Sequence, residues 1–334
     1  MNKQTKIAVF FGGKISQHLV LVKRAAKKLG VDLTLISYNR ICFDSKDQKV
    51  LIRPNLADES KIQQITKFKK ADDYDVLFFR TTGKHWEEVD LIINSITRDD
   101  VVVVDPLVRT GKPDMACKAW QMLVLKKAGI EVPKTIYGSL WYLYEQMSKP
   151  FPNPSSSKED LRLDRAGDNF SFPVIIKGSG GDRGTRVYKA DNLEELEKLV
   201  RDLRKSETED GKRYMLQEFI ANDGDFRVLV LGDKVLGVMK RSSQSKEEFK
   251  NNFSAGGKVE VADLPEEIKE LSVKAAKACG LAVAGVDVAF RDFDVKKPVI
   301  WEVNKGPQFK GFMQATGIDV PAEIVKFLVS LKND

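Results

Sequence analysis

The chain is poor in the residues on which many catalytic and metal sites depend. It has two histidines, His18 and His85, so a histidine-based triad or a histidine-rich metal site is not expected. Its three cysteines, Cys42, Cys117 and Cys279, are far apart, odd in number and form no CxxC motif. This pattern favours a reduced, cytoplasmic setting with buried thiols over disulfides or a zinc site.

Long apolar runs and blocks of like charge are also missing. No stretch approaches the roughly 18 apolar residues of a membrane span, and the apolar run near the start is too short for a secretory signal. Lysine and arginine number 55 against 48 acidic residues, a net charge of +7 that is spread along the chain. This excess fits an anionic ligand or a basic surface, without indicating a nucleic-acid-binding tail. Neither a membrane nor a nucleic acid is expected as a partner.

Length and pattern indicate several compact units. A chain of 334 residues is too long for one small core and predicts two or three units. Over about the first hundred residues, apolar strands alternate with helical segments, which is typical of a parallel, doubly wound α/β domain. The sequence GGK at Gly12–Lys14 follows the first strand. It lacks GxGxxG spacing, so a tight turn is preferred to a nucleotide site.

The most informative residues are three oxygen-bearing side chains near the C-terminus. Asp287 lies in AGVDVAF, and Glu302 and Asn304 lie in VIWEVNKGP. Residues two apart on a strand share a face, so a hairpin of these segments would bring all three side chains together. Such a set suits Mg²⁺, which takes a few protein oxygens and completes its shell with water and phosphate. The alternative is a strand pair with a polar outer face, although asparagine is a poor strand former.

Two further segments carry residues suited to anions. Lys177 ends the apolar strand FPVIIK, and the glycine-rich GSGGDRGT that follows can bring backbone N–H groups close to a phosphate. No GK[ST] closes it, so it is not a Walker A loop, and an ordinary glycine hairpin is the alternative. Asp225 and Arg227 alternate onto one face of a strand, and Lys240 and Arg241 end the next strand after a two-residue turn. A solvated strand face is the alternative there.

The order of these segments resembles the ATP-grasp superfamily and, within it, the RimK-type branch of the ribosomal-protein glutamate ligase. The resemblance runs from about Tyr74 to the end of the chain and is carried by LQEFI, DFRVLVLGDKVLGVMKR, AGVDVAF, WEVNKGP and ATGIDV. It implies an N-terminal Rossmann-like pre-ATP-grasp α/β domain at 1–110, followed by a two-lobed α+β ATP-grasp fold. The N-terminal lobe with a glycine-rich flap is expected at 111–221, and the C-terminal lobe with the metal site at 222–334.

The resemblance also implies roles for individual residues. Asp287, Glu302 and Asn304 match magnesium ligands, with Glu302 between two ions and Mn²⁺ as an alternative metal. Arg227 matches the arginine that steadies an acyl phosphate, and Arg241 is a second candidate. The resemblance implies that a further set of residues contacts ATP. The set consists of two lysines, the flap, an adenine-reading hinge, a ribose-contacting aspartate and a polar loop. Its members are Lys118, Lys177, Gly180, Gly181, Gly184, Glu218, Phe219, Asp225, Lys250, Asn251 and Asn252.

The implied reaction is an ATP- and Mg²⁺-dependent ligation. A carboxylate, activated as an acyl phosphate, would be joined to the amine of an amino acid, a peptide, a protein or a small molecule. The resemblance is also compatible with self-association into a homo-oligomer. A small-molecule kinase and a non-catalytic nucleotide-binding module are the alternatives. The intact lysine and metal positions argue against a non-catalytic module. The uncharged Ser254 and Ala255 argue against a kinase of polyphosphorylated substrates.

Departures from the family pattern lie beside the substrate. Ser254 and Ala255 stand where the family has a basic or histidine pair, and Lys305–Gly306 replaces small residues after Asn304. A polar excursion at 148–170 is longer than usual. Arg80 matches a position facing the cleft, and it is either a carboxylate ligand or a surface charge at the end of a strand. The substrates therefore do not follow from the resemblance.

Overall fold

The computed structural model describes six stretches of the chain. They are residues 4–54, 68–110, 117–148, 170–179, 186–242 and 258–332. Almost all of the excursion at 148–170 lies outside them. So do six of the predicted ATP-contacting residues, which are Gly180, Gly181, Gly184, Lys250, Asn251 and Asn252.

The first unit is built on a parallel sheet. Its elements are β1 (Lys6–Phe11), α1 (Gln17–Lys28), β2 (Asp32–Ser37), β3 (Ile41–Asp44), β4 (Lys49–Ile52), β5 (Val76–Phe79), α2 (Trp86–Asn94) and β6 (Val102–Val104). The strands β2, β1, β5 and β6 pair in that order and all in parallel, as the alternation of strands and helices predicts. The separate β3–β4 hairpin has no counterpart in the sequence prediction.

The second unit is an antiparallel sheet flanked by helices. Its elements are α3 (Lys118–Lys127), β7 (Thr135–Gly138), α4 (Leu140–Met147), β8 (Val174–Gly178), β9 (Val187–Ala190), α5 (Leu193–Thr208) and β10 (Tyr214–Glu218). The strand order is β7, β10, β8, β9. Helix α3 ends just before Gly129, whose φ of 71° is open to glycine but unfavourable for other residues.

The third unit is a five-stranded antiparallel sheet that carries the predicted metal residues. Its elements are β11 (Asp225–Leu231), β12 (Lys234–Ser242), β13 (Lys258–Ala262), α6 (Glu266–Ala278), β14 (Val283–Phe290), β15 (Pro298–Lys305), α7 (Lys310–Thr316) and α8 (Val320–Ser330). The order β13, β12, β11, β14, β15 places the two strands that carry these residues, β14 and β15, next to each other at one edge.

The end of the chain returns to its beginning. Ile324 and Leu328 of α8 are fully buried in one hydrophobic cluster with Val9 of β1 and with Leu19 and Val22 of α1. The same cluster continues into the third sheet. The first and third units therefore share a core, which fixes the carboxyl edge of the parallel sheet against the end of β15.

The cysteines only partly follow the prediction of buried thiols. Cys279 is buried and Cys117 half-buried, but Cys42 is exposed because it lies on the β3–β4 hairpin, whose strand β3 is largely open to solvent. Among the described helices, none has the length and apolar content needed to cross a membrane.

The shared core makes Leu328 a test of how α8 is held. We expect Leu328→Ala to lower the free energy of unfolding by about 2–5 kcal/mol, because it leaves a cavity at a fully buried position. Urea denaturation followed by circular dichroism measures the change. Lys326→Ala on the exposed side of the same helix, where the side chain is 58% exposed, is the control and should cost less than about 0.5 kcal/mol. Equal stability of the two variants would contradict a shared core.

Candidate active site

The three oxygen-bearing residues meet on one hairpin. β14 and β15 pair antiparallel, with Asp287 opposite Glu302 and Gly285 opposite Asn304. The side-chain amide of Asn304 donates from Nδ2 to Oδ2 of Asp287 over 3.1 Å. A β-bulge between Asp287 and Val288 adjusts the register at this point. The predicted hairpin is confirmed, and the role of the three residues as metal ligands stays a prediction.

Two arginines compensate the charge of Asp287, whose residue is only 5% exposed. Arg227 donates to its two oxygens from Nε over 2.7 Å and from Nη2 over 2.6 Å, and Nη2 of Arg241 lies 3.0 Å from Oδ2. Burial alone would raise the pKa of Asp287, but the two guanidinium groups outweigh it and lower the pKa to about 2. The carboxylate is therefore ionised at neutral pH, as a metal ligand must be.

A second buried pair extends this network. Arg241 lies opposite Asp225 in the β11–β12 ladder, and its Nε and Nη2 donate to the two Asp225 oxygens. Burial would lower the pKa of Arg241, but Asp287 and Asp225 raise it, so the guanidinium stays charged. With Arg227 and Asp287, the network contains two carboxyl groups and two guanidinium groups, so its formal charges cancel. The structure engages Asp225 with Arg241, and its predicted ribose contact stays a prediction.

Helix α3 is attached to the strand that carries Glu302 and Asn304. Lys118 donates from Nζ to Oε1 of Glu302 over 2.5 Å. Gln121, almost one turn further and so on the same face, pairs with the backbone of Val303. Its Nε2 donates to the Val303 carbonyl over 2.8 Å, and its Oε1 accepts the Val303 N–H over 3.3 Å. The helix and β15 therefore hold each other in register.

Strand β8 brings Lys177 from the second sheet to the same place. Its ammonium lies 6.0 Å from the centroid of the Trp301 ring. Burial lowers the pKa of Lys177 to about 8, Lys118 adds to this lowering, and the carboxylates of Glu302 and Asp287 oppose it. Two lysines and two carboxylates thus lie close together where the second unit meets the third, although they are far apart in sequence.

Glu218, in the predicted adenine-reading hinge, forms an ion pair with the third unit. Arg291, which follows β14, donates to both Glu218 oxygens, from Nη1 over 2.8 Å and from Nη2 over 2.5 Å. The backbone N–H of Lys134 donates to the same carboxylate over 2.6 Å. Burial would raise the pKa of Glu218, but Arg291 and Lys134 lower it. Phe219, next in the chain, has the ammonium of Lys189 at 5.2 Å from its ring centroid. Adenine recognition by this backbone stays a prediction.

Arg80 joins the first unit to the end of β15. It is only 6% exposed, so its interpretation as a surface charge is wrong. Its Nη2 donates to the carbonyl oxygens of Gly306 over 2.9 Å and Pro307 over 3.5 Å. Burial lowers its pKa to about 10, which leaves it charged at neutral pH. Nη1 of Arg80 is buried and has no hydrogen-bond partner among the described residues.

Asp105 and Lys305 lie in the same junction. The buried Asp105 accepts the backbone N–H groups of Ala282 over 2.8 Å and Val283 over 3.1 Å at Oδ1. Lys305 reaches back to the first unit, with Nζ 3.5 Å from the Thr82 hydroxyl. Burial raises the pKa of Asp105. Burial lowers the pKa of Lys305 to about 8, which Asp105 opposes.

Several of these contacts were outside the reach of sequence reasoning. The spacing of Gln121 from Lys118 on one helical face was an available signal for its position beside β15. Asp105, Trp301 and Arg291 carried no such signal, because each acts through a partner on another unit.

Known proteins resemble this chain over the second and third units, which carry the candidate site. A family model described as the RimK-like ATP-grasp domain matches residues 116–328. A "Probable alpha-L-glutamate ligase" of Cellvibrio japonicus is 34% identical over 207 residues, which are 61% of this chain and 60% of that protein. A "Probable alpha-L-glutamate ligase 2" of Shewanella denitrificans is 34% identical over 180 residues, which are 53% of this chain and 56% of that protein. The chain thus spans only a little more than half the length of these curated relatives.

Solved structures match over almost the whole chain. The ATP-grasp ligase PsnB, in complex with a minimal precursor, Mg and ADP, has a TM-score of 0.62 at 17% identity, covering 100% of both chains. A RimK domain ATP-grasp protein of Sphaerobacter thermophilus has a TM-score of 0.63 at 16% identity, covering 97% of this chain and 99% of that one. At these identities the likeness establishes an ATP-grasp fold.

Lys177 provides a pH-dependent test of the cleft. Because its pKa is about 8 in the fold and 10.5 in the unfolded chain, the unfolded state binds more protons between these values. The free energy of unfolding should therefore rise with pH in this window. We expect Lys177→Met to be more stable than the wild type near pH 7, and its advantage to shrink by about 1–3 kcal/mol towards pH 10.

Urea denaturation at intervals of pH measures this difference. Lys126→Met is the control, because that lysine is 62% exposed and lies outside the cleft. Its stability should stay parallel to that of the wild type. A constant difference between Lys177→Met and the wild type across the window would contradict a lowered pKa for Lys177.

Proposed function

Because the chain belongs to the RimK-like ATP-grasp family, we propose that it is an ATP- and Mg²⁺-dependent ligase that joins a carboxylate to an amine. The convergence of Lys118, Lys177, Asp287 and Glu302 in one cleft is the observation that carries this proposal. The products would be an amide or peptide bond, ADP and phosphate. ATP as a co-substrate fits a cytoplasmic setting, and the parallel sheet of residues 1–110 would be the pre-ATP-grasp domain.

The donor set fits magnesium. Asp287 and Glu302 offer carboxylate oxygens and Asn304 an amide oxygen on one hairpin, which are the hard ligands that Mg²⁺ prefers. Among the described residues, no group of three acidic, histidine or cysteine side chains could hold a metal, and this site offers two carboxylates and an amide. Bound there, one or two Mg²⁺ ions would neutralise phosphate charge and orient the transferring group. Mn²⁺, which also takes oxygen ligands, is an alternative occupant.

The basic side chains would bind the phosphates. Lys118 is paired with Glu302 and Lys177 lies beside both, so each lysine stands next to a proposed metal ligand. If Glu302 held the metal, Lys118 would be released from this pair and could donate to a phosphate oxygen. The lowered pKa of Lys177 would rise again beside phosphate, because nearby negative charge favours the ammonium form.

The remaining predicted contacts complete the nucleotide site. We assign recognition of adenine to the backbone of Glu218 and Phe219, and contact with the ribose to Asp225. The glycine-rich flap and the polar loop with Lys250 would cover the phosphates, which excludes water from the reaction.

The reaction then follows in two steps. An oxygen of the substrate carboxylate attacks the γ-phosphorus of ATP, and the bond from that phosphorus to the bridging oxygen breaks, releasing ADP. The amine nitrogen then attacks the acyl carbon, phosphate leaves, and the nitrogen loses a proton. The tetrahedral intermediate carries an oxyanion, which a fixed guanidinium can stabilise.

Arg227 is the proposed donor for that oxyanion. Its bonds to Asp287 use Nε and Nη2, which keeps the guanidinium in one orientation while Nη1 is outside both bonds. Arg241 spends its Nε and Nη2 on Asp225 and is 6% exposed, so it supports the network and is the second candidate.

Glu302→Gln tests the proposal. We expect ADP release to require both a carboxylate and an amine, and we expect the variant to lose at least about 100-fold in turnover with weaker Mg·ATP binding. A coupled ADP-release assay with pools of amino acids and short carboxylic acids measures this. Glu260→Gln, on the exposed β13, should match the wild type.

Each other outcome points to a different function. Full turnover in Glu302→Gln would contradict the metal assignment. ADP release that depends on a hydroxyl compound and no amine would favour a kinase. Nucleotide binding without turnover in every pool would favour a non-catalytic module.

A further inference from the structure

Strand β15 carries two of the proposed metal ligands at the edge of the third sheet. It pairs with β14 on one side, and in the described part of the chain no strand pairs with it on the other. An edge strand presents backbone N–H and C=O groups that have no partner in the sheet. The contacts that hold this edge therefore bear on where Glu302 and Asn304 lie.

The side chain of Gln121 occupies the outer edge at Val303. Its Nε2 donates to the Val303 carbonyl over 2.8 Å, and its Oε1 accepts the Val303 N–H over 3.3 Å. Both backbone groups of a residue in an antiparallel strand point to the same side, so those of Val303 point away from β14. A glutamine amide has the same kinds of donor and acceptor as a peptide group. Gln121, which is only 4% exposed, thus takes the place of one residue of a sixth strand.

The pairing of β15 is irregular just before Glu302. Its register with β14 shifts there, so Trp301 has no opposite residue of its own. Such a bulge bends a strand and increases its local twist. Beyond the bulge, the outer edge is held by the Ile300 N–H, which donates to the Glu131 carbonyl over 2.9 Å. Gln121 acts on the other side of the bulge, where the ligands are.

Val303 is the point from which both ligands are placed. It lies between Glu302 and Asn304, and its own side chain is fully buried in the core. Side chains alternate along a strand, so a fixed Val303 backbone sets the direction of both ligand side chains. The bond of Lys118 to Glu302 uses an oxygen that a metal would take. The bonds at Val303 use only its backbone atoms and are compatible with a bound metal.

We propose that Gln121 is a positioning residue of the metal site, which holds Glu302 and Asn304 in place through the backbone of Val303. This rests on the proposed function, in which these two side chains bind Mg²⁺. Gln121 itself touches neither metal nor nucleotide in this role. Partners that orient metal ligands from outside typically contribute about 10- to 100-fold in metal affinity.

Two titrations of the full chain separate the metal from the nucleotide. The probe is a non-hydrolysable ATP analogue, titrated calorimetrically once with excess Mn²⁺ and once with EDTA. Gln121→Met keeps the length of the side chain but cannot form both bonds, so we expect it to weaken binding with Mn²⁺ by about tenfold. Binding in EDTA should stay within about twofold of the wild type, because the metal ligands do not contribute there.

Further variants separate positioning from stability. Gln121→Asn keeps the amide but is one methylene shorter, so it cannot span both groups of Val303 and should show a similar loss with Mn²⁺. Leu196→Ala is the control, because it leaves a cavity at a fully buried position of α5, in a core cluster separate from that of Val303. It should keep both affinities. Hydrogen exchange of the Val303 amide, followed by mass spectrometry of β15 fragments, should be faster in both Gln121 variants.

The outcomes distinguish this role from the proposed function. Wild-type affinity with Mn²⁺ in both Gln121 variants, or an equal loss with Mn²⁺ and with EDTA, would overturn the role of Gln121 alone. A similar loss in Leu196→Ala would also overturn it, since lower stability would then be the cause. A wild type that binds the analogue equally with Mn²⁺ and EDTA would overturn the metal site together with its positioning. If the expected Mn²⁺ dependence appears and the wild type releases no ADP, the ligase function fails and the role of Gln121 is supported.

Discussion

The proposed site depends on holding an ionised carboxylate inside the protein. A buried acid normally takes up a proton, because its charged form is poorly solvated. Asp287 avoids this through two guanidinium groups supplied by neighbouring strands, and a second acid, Asp225, balances one of those arginines. Removing one member would leave the others buried and unpaired, which is far more costly than losing a surface ion pair. The strand order of the third sheet brings these side chains together, since β11, which carries Arg227 and Asp225, lies between the strands that carry Arg241 and Asp287.

Around this network the structure joins three units at the end of β15. From the second unit, α3 reaches the strand through Lys118 and Gln121. From the first unit, Arg80 holds the backbone that follows Asn304. Strand β15 is at the edge of its sheet and would otherwise be free to move on one side. Contacts from both neighbouring units replace the missing strand partner and fix the positions of Glu302 and Asn304, the proposed metal ligands on this strand.

Much of the fold could be predicted because local sequence patterns determine its strands and helices. The alternation of strands and helices indicated the parallel sheet, and the spacing of Glu302 and Asn304 indicated a shared face of a hairpin. Contacts between units had no such signal. Arg80 ends a strand like many surface charges do, and only the packing of the first unit on Gly306 buries it. Glu218 was expected to act through its backbone, whereas its side chain binds an arginine from the other sheet. The roles of the ATP-contacting and metal-binding residues remain predictions from the family resemblance.

The ion pair of Glu218 with Arg291 has a mechanical consequence. It joins the end of β10 to the segment that follows β14, so the second and third sheets are fastened at one end of the cleft. If the two sheets rotate relative to each other about this ion pair, atoms farther from the ion pair move farther. Gly178, at the end of β8, lies at the opposite end of the sheet from Glu218, because β8 and β10 run antiparallel. A small rotation at the ion pair would thus move the Gly178 end of β8 more than the Glu218 end of β10. The pair of Lys118 with Glu302 joins the same two units close to Ser179, so such a rotation would have to stretch or break it.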